Sequence, residues 1–451
     1  MDVQQQVEDV RRGEEGEKGE RRDACAPSPL RPVPPERFAW APACLVSLAV
    51  GVVGGLASVV LTLACSLAMA LFGRAPWLAY MLPVAGLLTV GLYHALGVAW
   101  GTATNAVIAA ARDDVALRGG LAPAILGGTF LTLLGGGSVG KEAAALQLGG
   151  SLGSVIGTRL ERALRLRRGP TVGMCIRCGM AGAFASLLGA PLAATLFVIE
   201  VTRVPVRPRT CLLVLLAAMA GGLVARLSPV SAPWVPLVPT IPTPADVGAT
   251  VLVTLACALM AVVFCRALAA LRSIDWGPLE EPCAHMLFGG VLISLLVGVV
   301  GLGPYAGTGE NFMEAALAGQ AAPWDFAFKA LLTLVVLGIG FKGGEIMPIL
   351  AIGSTLGCTL GVAAGANATA CAGIGLVAMF SACTNSPLSA ALLGIEAFGP
   401  VAWPAYVFAA LLSYLLTVRT GLYLSNCAAS WRALLASWRA VVGSIVAKLR
   451  S

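Results

Sequence analysis

The chain has 451 residues, 58% of them hydrophobic and only 12% charged, with a mean hydropathy of +0.86. Soluble domains run about 45–50% apolar and about 25% charged, so this composition excludes a soluble protein and specifies an integral membrane one. The net charge of +7 sits in short loops and at the chain ends, a pattern of membrane topology rather than of nucleic-acid binding.

Residues 1–37 are polar, mixed in charge and end in Pro29, Pro32, Pro34 and Pro35. They read as a disordered cytoplasmic N-terminal tail, because a signal peptide needs an apolar core. A single membrane domain is expected from Phe38 to Cys427, residues 38–427. Apolar stretches of spanning length are 40–73, 77–100, 210–228, 245–270, 284–302, 327–341 and 401–418. Segments 121–135, 142–157, 170–186, 189–201, 346–364 and 386–398 are too short or too glycine-broken for simple spans. Such pieces point to half-helices that meet inside the membrane. Residues 428–451 read as a short basic helix, with Arg432, Arg439, Lys448 and Arg450, and no soluble regulatory domain is expected after it. The basic run Arg159 to Arg168, the cluster Arg203, Arg207 and Arg209, and the C-terminus are placed in the cytoplasm by the positive-inside rule.

The chain carries an internal repeat. Gly189-Ala190-Pro191-Leu192 through Glu200 resembles Asn385-Ser386-Pro387-Leu388 through Glu396, with prolines separated by 387 − 191 = 196 positions. Gly149-Gly150-Ser151-Leu152-Gly153 resembles Gly353-Ser354-Thr355-Leu356-Gly357, separated by 353 − 149 = 204. Each half also has a glycine-rich turn, Gly135 to Gly140 and Gly338 to Gly344. Similar halves with interrupted helices mark transporters built from repeats, with the site at the repeat interface.

Glu142 stands out. It follows the first glycine turn and opens an Ala-Leu run, which places a carboxylate at a helix N-terminus within the membrane. Such a placement costs about 3 kcal/mol on insertion scales and defaults to function. Exposed amides and the helix dipole favour an anion there, so the carboxylate mimics an anion and a proton can evict it. The plain alternative is a capping glutamate at the membrane surface. The second glycine turn opens Glu345-Ile346-Met347-Pro348, with Pro348 in a first helical turn, where its missing N–H is not needed. Two helix N-termini then aim at one point from opposite halves and form an anion site from partial charges, weak enough to permit exit.

On these residues the chain resembles the CLC anion channels and proton-coupled anion antiporters, over about residues 40–427. The family's Gly-Lys/Arg-Glu-Gly-Pro motif is similar to Gly140-Lys141-Glu142-Ala143-Ala144, and its glycine-x-Phe-x-Pro motif to Gly343 through Pro348. The resemblance implies an all-α membrane protein with a CLC-type fold: two inverted repeats with broken and re-entrant helices, assembled as a homodimer in membrane lipid. It implies that Glu142 is the gating and proton-exchanging residue and that the amides of Glu345 and Ile346, with Met347 beside them, line the anion site. Thr102, in Gly101-Thr102-Ala103-Thr104-Asn105, would supply one hydroxyl and Tyr423 a second, with Tyr414 as the alternative. Asn105, the Gly-Gly-Glu345 triplet and Ala382 through Pro387 resemble the fluoride-exporting branch, whereas Thr102 and Met347 depart from it. The internal proton-accepting glutamate of chloride antiporters falls at Val201. Glu200 beside it is either a cap-region carboxylate or an internal proton relay.

The implied function is transport of a small halide anion, fluoride or chloride, coupled to protons across the cell membrane. Proton-coupled fluoride export is the first expectation, with a chloride channel or chloride/proton antiporter as the alternative. No enzymatic activity and no cofactor is expected. Cys175-Ile176-Arg177-Cys178 lacks a second pair, and His94 and His285 are the chain's two histidines, too few for a zinc site. Two further classes compete: an intramembrane serine hydrolase, on Gly136-Gly137-Ser138-Val139-Gly140 with His285, and a transporter of larger anionic solutes.

Overall fold

The computed structural model describes residues 40–163, 170–204, 207–228, 244–274, 276–277 and 281–423. The expected tail at 1–37 and basic helix at 428–451 lie outside these, as do residues 164–168 of the Arg159–Arg168 run and the ends of the membrane domain at 38–39 and 424–427.

Among the described residues there are sixteen α-helices and no named strand. The first half contains α1 (Trp40–Arg74), a 3₁₀ turn (Pro76–Met81), α2 (Leu82–Ala95), α3 (Thr104–Asp113), α4 (Leu121–Leu134), α5 (Glu142–Ala163), α6 (Val172–Leu188), α7 (Pro191–Thr202) and α8 (Pro208–Arg226). The second contains α9 (Pro244–Arg272), α10 (Pro282–Gly298), α11 (Glu310–Leu317), α12 (Asp325–Ile339), α13 (Ile346–Ala363), α14 (Ala368–Thr384), α15 (Pro387–Phe398) and α16 (Trp403–Thr417). The halves correspond helix by helix: α5 to α13 at an offset of 346 − 142 = 204, α6 to α14 at 368 − 172 = 196 and α7 to α15 at 387 − 191 = 196. Even the caps match. Thr171 accepts the amide of Met174 at the start of α6, and Asn367, also 196 positions on, accepts that of Ala370 at the start of α14. Each satisfies a first-turn donor that the helix itself leaves unpaired.

The glycines of the repeat are packing residues. A Cβ on Gly353 would lie 2.5 Å from the carbonyl oxygen of Gly375, and one on Gly149 would collide with the carbonyl oxygen of Gly179. At these crossings α5 meets α6, and α13 meets α14, backbone to backbone. In a membrane, where packing rather than the hydrophobic effect draws helices together, such contact is the main adhesive. The repeat seen in sequence is therefore the imprint of two equivalent helix crossings.

Several spans need correction. Segment 77–100 is shorter than expected: the 3₁₀ turn runs straight into α2 as one stretch, Pro76–Ala95, of 20 residues, long enough to cross a membrane, and a loop follows it. Pro76 sets up the turn, and Leu82–Ala95 is only 14 residues long. The stretches 284–302, 327–341 and 401–418 form helices of 17, 15 and 15 residues. Segment 346–364, expected to be too short, is an apolar helix of 18 residues that counts among the five described ones long enough to cross a membrane. Its window is 78% buried against 44% for α1, because it runs through the protein rather than along lipid. Helices α3, α11 and α14 were not anticipated at all.

Candidate functional site

The two glycine turns meet in the buried interior. The amide of Gly140 donates to the carbonyl of Gly344 at 2.6 Å, and the amide of Gly344 donates to that of Gly140 at 2.7 Å. These residues are equivalent in the two halves, 344 − 140 = 204, and they pair antiparallel. Two equivalent segments that exchange both hydrogen bonds lie on a local two-fold axis. Glycine is required on both sides: a Cβ on Gly344 would lie 2.8 Å from the amide nitrogen of Ala143.

From this bridge α5 and α13 depart with their N-termini side by side. Glu142 is 1% exposed and folds back over its own helix, its Oε2 accepting the Lys141 amide at 3.1 Å. A Cβ on Gly140 would lie 2.7 Å from that same oxygen and 2.9 Å from both Met347 Cβ and Pro348 Cδ. The carboxylate therefore lies at the start of α5, on the Gly140 side that the start of α13 also approaches. On α13, Ile349 is the first residue of that turn whose amide returns to a helix acceptor, Glu345 O at 3.2 Å. The amides of Ile346 and Met347 precede the first intrahelical bond, and Pro348 has none to give. Both residues are buried, at 0% and 2% exposure. They form a dry cradle of donors with the positive end of a helix behind it.

Tyr423 joins this cluster. It is fully buried, sits edge-on to Phe197 at 6.2 Å, and lies within electrostatic range of Glu345 and Arg272. Two asparagines that the sequence marks only as resembling the fluoride-exporting branch hold its segment. Asn105 Nδ2 donates to the carbonyl of Leu422 at 3.4 Å, and Asn385 Nδ2 to that of Thr420 at 2.7 Å. The Leu422 amide also donates to Cys383 O at 2.8 Å. Tyr414 lies elsewhere, within range of Glu200 and Arg203, so of the two tyrosines Tyr423 is the one beside the helix starts.

Thr102 is the candidate least well placed. It sits half-buried in the loop before α3, where its amide donates to Ala99 O at 3.0 Å. Thr104, two residues on, is the buried one, at 3%; its Oγ1 accepts from Gln147 Nε2 of α5 at 3.1 Å. Lys342 fastens the Thr102 loop to the second glycine turn. Its ammonium donates to Trp100 O at 2.5 Å and stands over the Trp100 ring at 3.9 Å and the Tyr93 ring at 4.7 Å. A lysine inside a glycine run is the trace this contact leaves in the sequence.

Glu200 is bound outside the cluster. Its carboxylate accepts the amides of Leu388 and Ser389 at the start of α15, at 3.1 and 2.9 Å. Glu396 accepts those of Leu192 and Ala193 at the start of α7, at 3.0 and 2.7 Å. Each glutamate ends its own helix, where its charge is misplaced, but lies over the N-terminus of the opposite one, where it is well placed.

The hydrolase arrangement is not assembled. Ser138 Oγ hydrogen-bonds to Thr333 Oγ1 at 2.8 Å, while His285 lies edge-on to Trp276 at 5.0 Å on α10. Cys178 packs between helices, with its sulfur 3.5 Å from Ser47 Oγ and 3.7 Å from Leu213 O.

A membrane-embedded helical fold of two inverted repeats, with a carboxylate lodged between paired helix N-termini, defines a CLC-type transport protein. The chain belongs to the voltage gated chloride channel family, whose sequence profile matches residues 85–418. It is 34% identical over 365 residues to a chloride/fluoride channel protein of Pseudomonas syringae pv. tomato, covering 77% of this chain and 78% of that one. It is 27% identical over 284 residues to an H(+)/Cl(-) exchange transporter of Citrobacter koseri, over 58% of each chain. Among solved structures, a CLC-type fluoride/proton antiporter superposes with a TM-score of 0.78 at 26% identity, covering 86% of this chain and 98% of that one. A slow cyanobacterial Cl-/H+ antiporter shares the fold with a TM-score of 0.67 at 21% identity.

Proposed function

We propose that this protein exchanges a small halide for protons across the cell membrane, exporting fluoride, with Glu142 as the gate and proton carrier. The observation that carries this reading is the buried Glu142 carboxylate, held by the Lys141 amide at the start of α5 on the side where the start of α13 approaches. A carboxylate and a halide compete for the same donors. Protonation removes the charge of Glu142, frees the cradle and moves a proton in the same act. The Ile346 and Met347 amides and the Tyr423 hydroxyl supply hydrogen bonds in place of a halide's water shell, and partial charges let the ion leave again. The relatives named for fluoride favour that ion. Met347 and the threonine hydroxyls near α3 favour the second reading, chloride transport in the same site. In this reading the working unit is a homodimer in which each subunit holds its own pathway.

The test is flux from proteoliposomes, recorded with a fluoride electrode and a pH electrode together. Fluoride movement with stoichiometric opposing pH change is expected in wild type, with chloride much slower. Chloride flux as fast as fluoride flux overturns the fluoride assignment, and halide flux without any pH change overturns the exchange.

A further inference from the structure

Beside the gate lies an ion pair that the exchange reading does not use. Lys141 Nζ is 2.6 Å from Glu310 Oε1, with side chains only 9% and 26% exposed. Lys141 is the residue before the gate and belongs to the first half. Glu310 is the first residue of α11 and belongs to the second. The chain builds Glu310 into place deliberately. Gly309 before it has φ +92°, a left-handed conformation that suits glycine. Lys329, itself 1% exposed, donates to the carbonyls of Tyr305 and Gly307 at 3.0 and 2.8 Å, pinning the turn that leads to Glu310. The other titratable group facing this cluster is Cys65 of α1, within electrostatic range of Lys141, Glu142 and Glu310 together.

We infer that Glu310 is a positioning residue that sets the pH at which Glu142 exchanges its proton, by neutralising Lys141. An uncompensated ammonium one residue from a buried carboxylate would hold that carboxylate ionised, keeping the gate lodged among the amides until the solution became more acidic. Glu310 returns the local charge to that of Glu142 alone. It also fixes the direction of the Lys141 side chain, which keeps the ammonium from turning toward the gate. This inference rests on the assignment of Glu142 as the proton carrier.

The sign of the effect is testable because the two partners act in opposite directions. In Glu310→Gln the lone ammonium favours ionised Glu142, so the midpoint of pH-dependent halide flux from proteoliposomes should fall by about one pH unit. In Lys141→Met the lone Glu310 carboxylate favours protonated Glu142, so the midpoint should rise. The double variant Lys141→Met/Glu310→Gln should return close to wild type, and Glu310→Asp should restore most of the midpoint. Removing one partner of a desolvated pair can prevent folding, whereas removing both is tolerated. If one single variant fails to yield protein, the sign of the midpoint shift in the other decides the matter, and a double-variant midpoint more than half a unit from wild type overturns the inference. Midpoints that do not move, or that move together in the same direction, overturn it as well. Glu142→Gln separates the two levels. If it retains pH-dependent flux, the gate assignment fails. If it loses that dependence while Glu310→Gln and Lys141→Met leave the midpoint in place, only the role of Glu310 fails.

Discussion

The starts of α5 and α13 are the same structure used in two ways. They occupy equivalent positions in the two halves, leave the same glycine bridge, and cross α6 and α14 through equivalent glycines. The start of α5 carries a carboxylate folded over its amides. The start of α13 carries Ile346 and Met347, whose side chains have no oxygen to offer, followed by a proline, and the buried Glu345 that caps it makes no side-chain hydrogen bond to that first turn. One terminus is thus filled by its own side chain and the other is left to be filled. On the proposed reading, a duplicated scaffold acquires an alternating site in this way: the backbone supplies two anion-favouring helix ends, and one carboxylate sits beside both.

Removing the proposed gate breaks this contrast most completely. Glu142→Gln should abolish proton movement, by at least about 100-fold, while halide leak persists, because a neutral amide neither competes with an anion nor carries a proton. Paired fluoride and pH recording from liposomes reads both halves of that outcome, and unchanged pH dependence would remove Glu142 from the gate.

Disturbing the bridge should come next. A Cβ on Gly140 or Gly344 meets atoms at 2.7–2.9 Å, including the Glu142 carboxylate and the Ala143 amide. Gly140→Ala and Gly344→Ala should each lower transport at least about 10-fold. The corresponding changes at the helix crossings, Gly149→Val and Gly353→Val, should act on stability instead, by about 1–3 kcal/mol each, read as a fall in the detergent melting temperature. Similar losses at Gly149 and Gly353 are expected from the equivalence of the halves. A loss at one without the other would show that the crossings are not equivalent in energy.

The much smaller contrast between Glu200 and Glu396 distinguishes a cap from a relay. As reciprocal caps, Glu200→Gln and Glu396→Gln should each cost about 1 kcal/mol of stability and leave the ratio of proton to halide flux unchanged. A proton flux reduced in Glu200→Gln alone would assign Glu200 to the proton path. Smallest of all should be the hydroxyl contrast. Thr104→Val, which removes the acceptor for Gln147, is expected to alter the fluoride-to-chloride flux ratio more than Thr102→Val does. A larger change at Thr102 would restore the hydroxyl that the motif suggested.

The parts of the site legible in the chain were those that repeat or that violate the membrane's rules. Glu142 is conspicuous because a carboxylate is costly in an apolar run. The glycine turns and the offsets of 204 and 196 survive because close backbone packing admits no other residue. Partnerships across the molecule left no such trace. Asn105 and Leu422 are 317 residues apart, Lys342 and Trp100 are 242, and Glu200 and Leu388 are 188. Glu200 was particularly opaque, since its own helix places it at the unfavourable end and only the folded pair supplies the favourable one. Helix α14 escaped notice for another reason. Its alanine, glycine and threonine content suits a helix buried on every side but lacks the long leucine run by which lipid-facing helices such as α1 are recognised.

The central claim is that the Glu142 carboxylate and the transported halide compete for the amides at the start of α13. Halide binding measured by isothermal titration across a pH series tests it most directly, in wild type and in Glu142→Gln. The account predicts that wild-type affinity strengthens as the pH falls and Glu142 releases the amides, while Glu142→Gln binds with an affinity that does not vary with pH. An equal pH dependence in both proteins, or none in wild type, would contradict it.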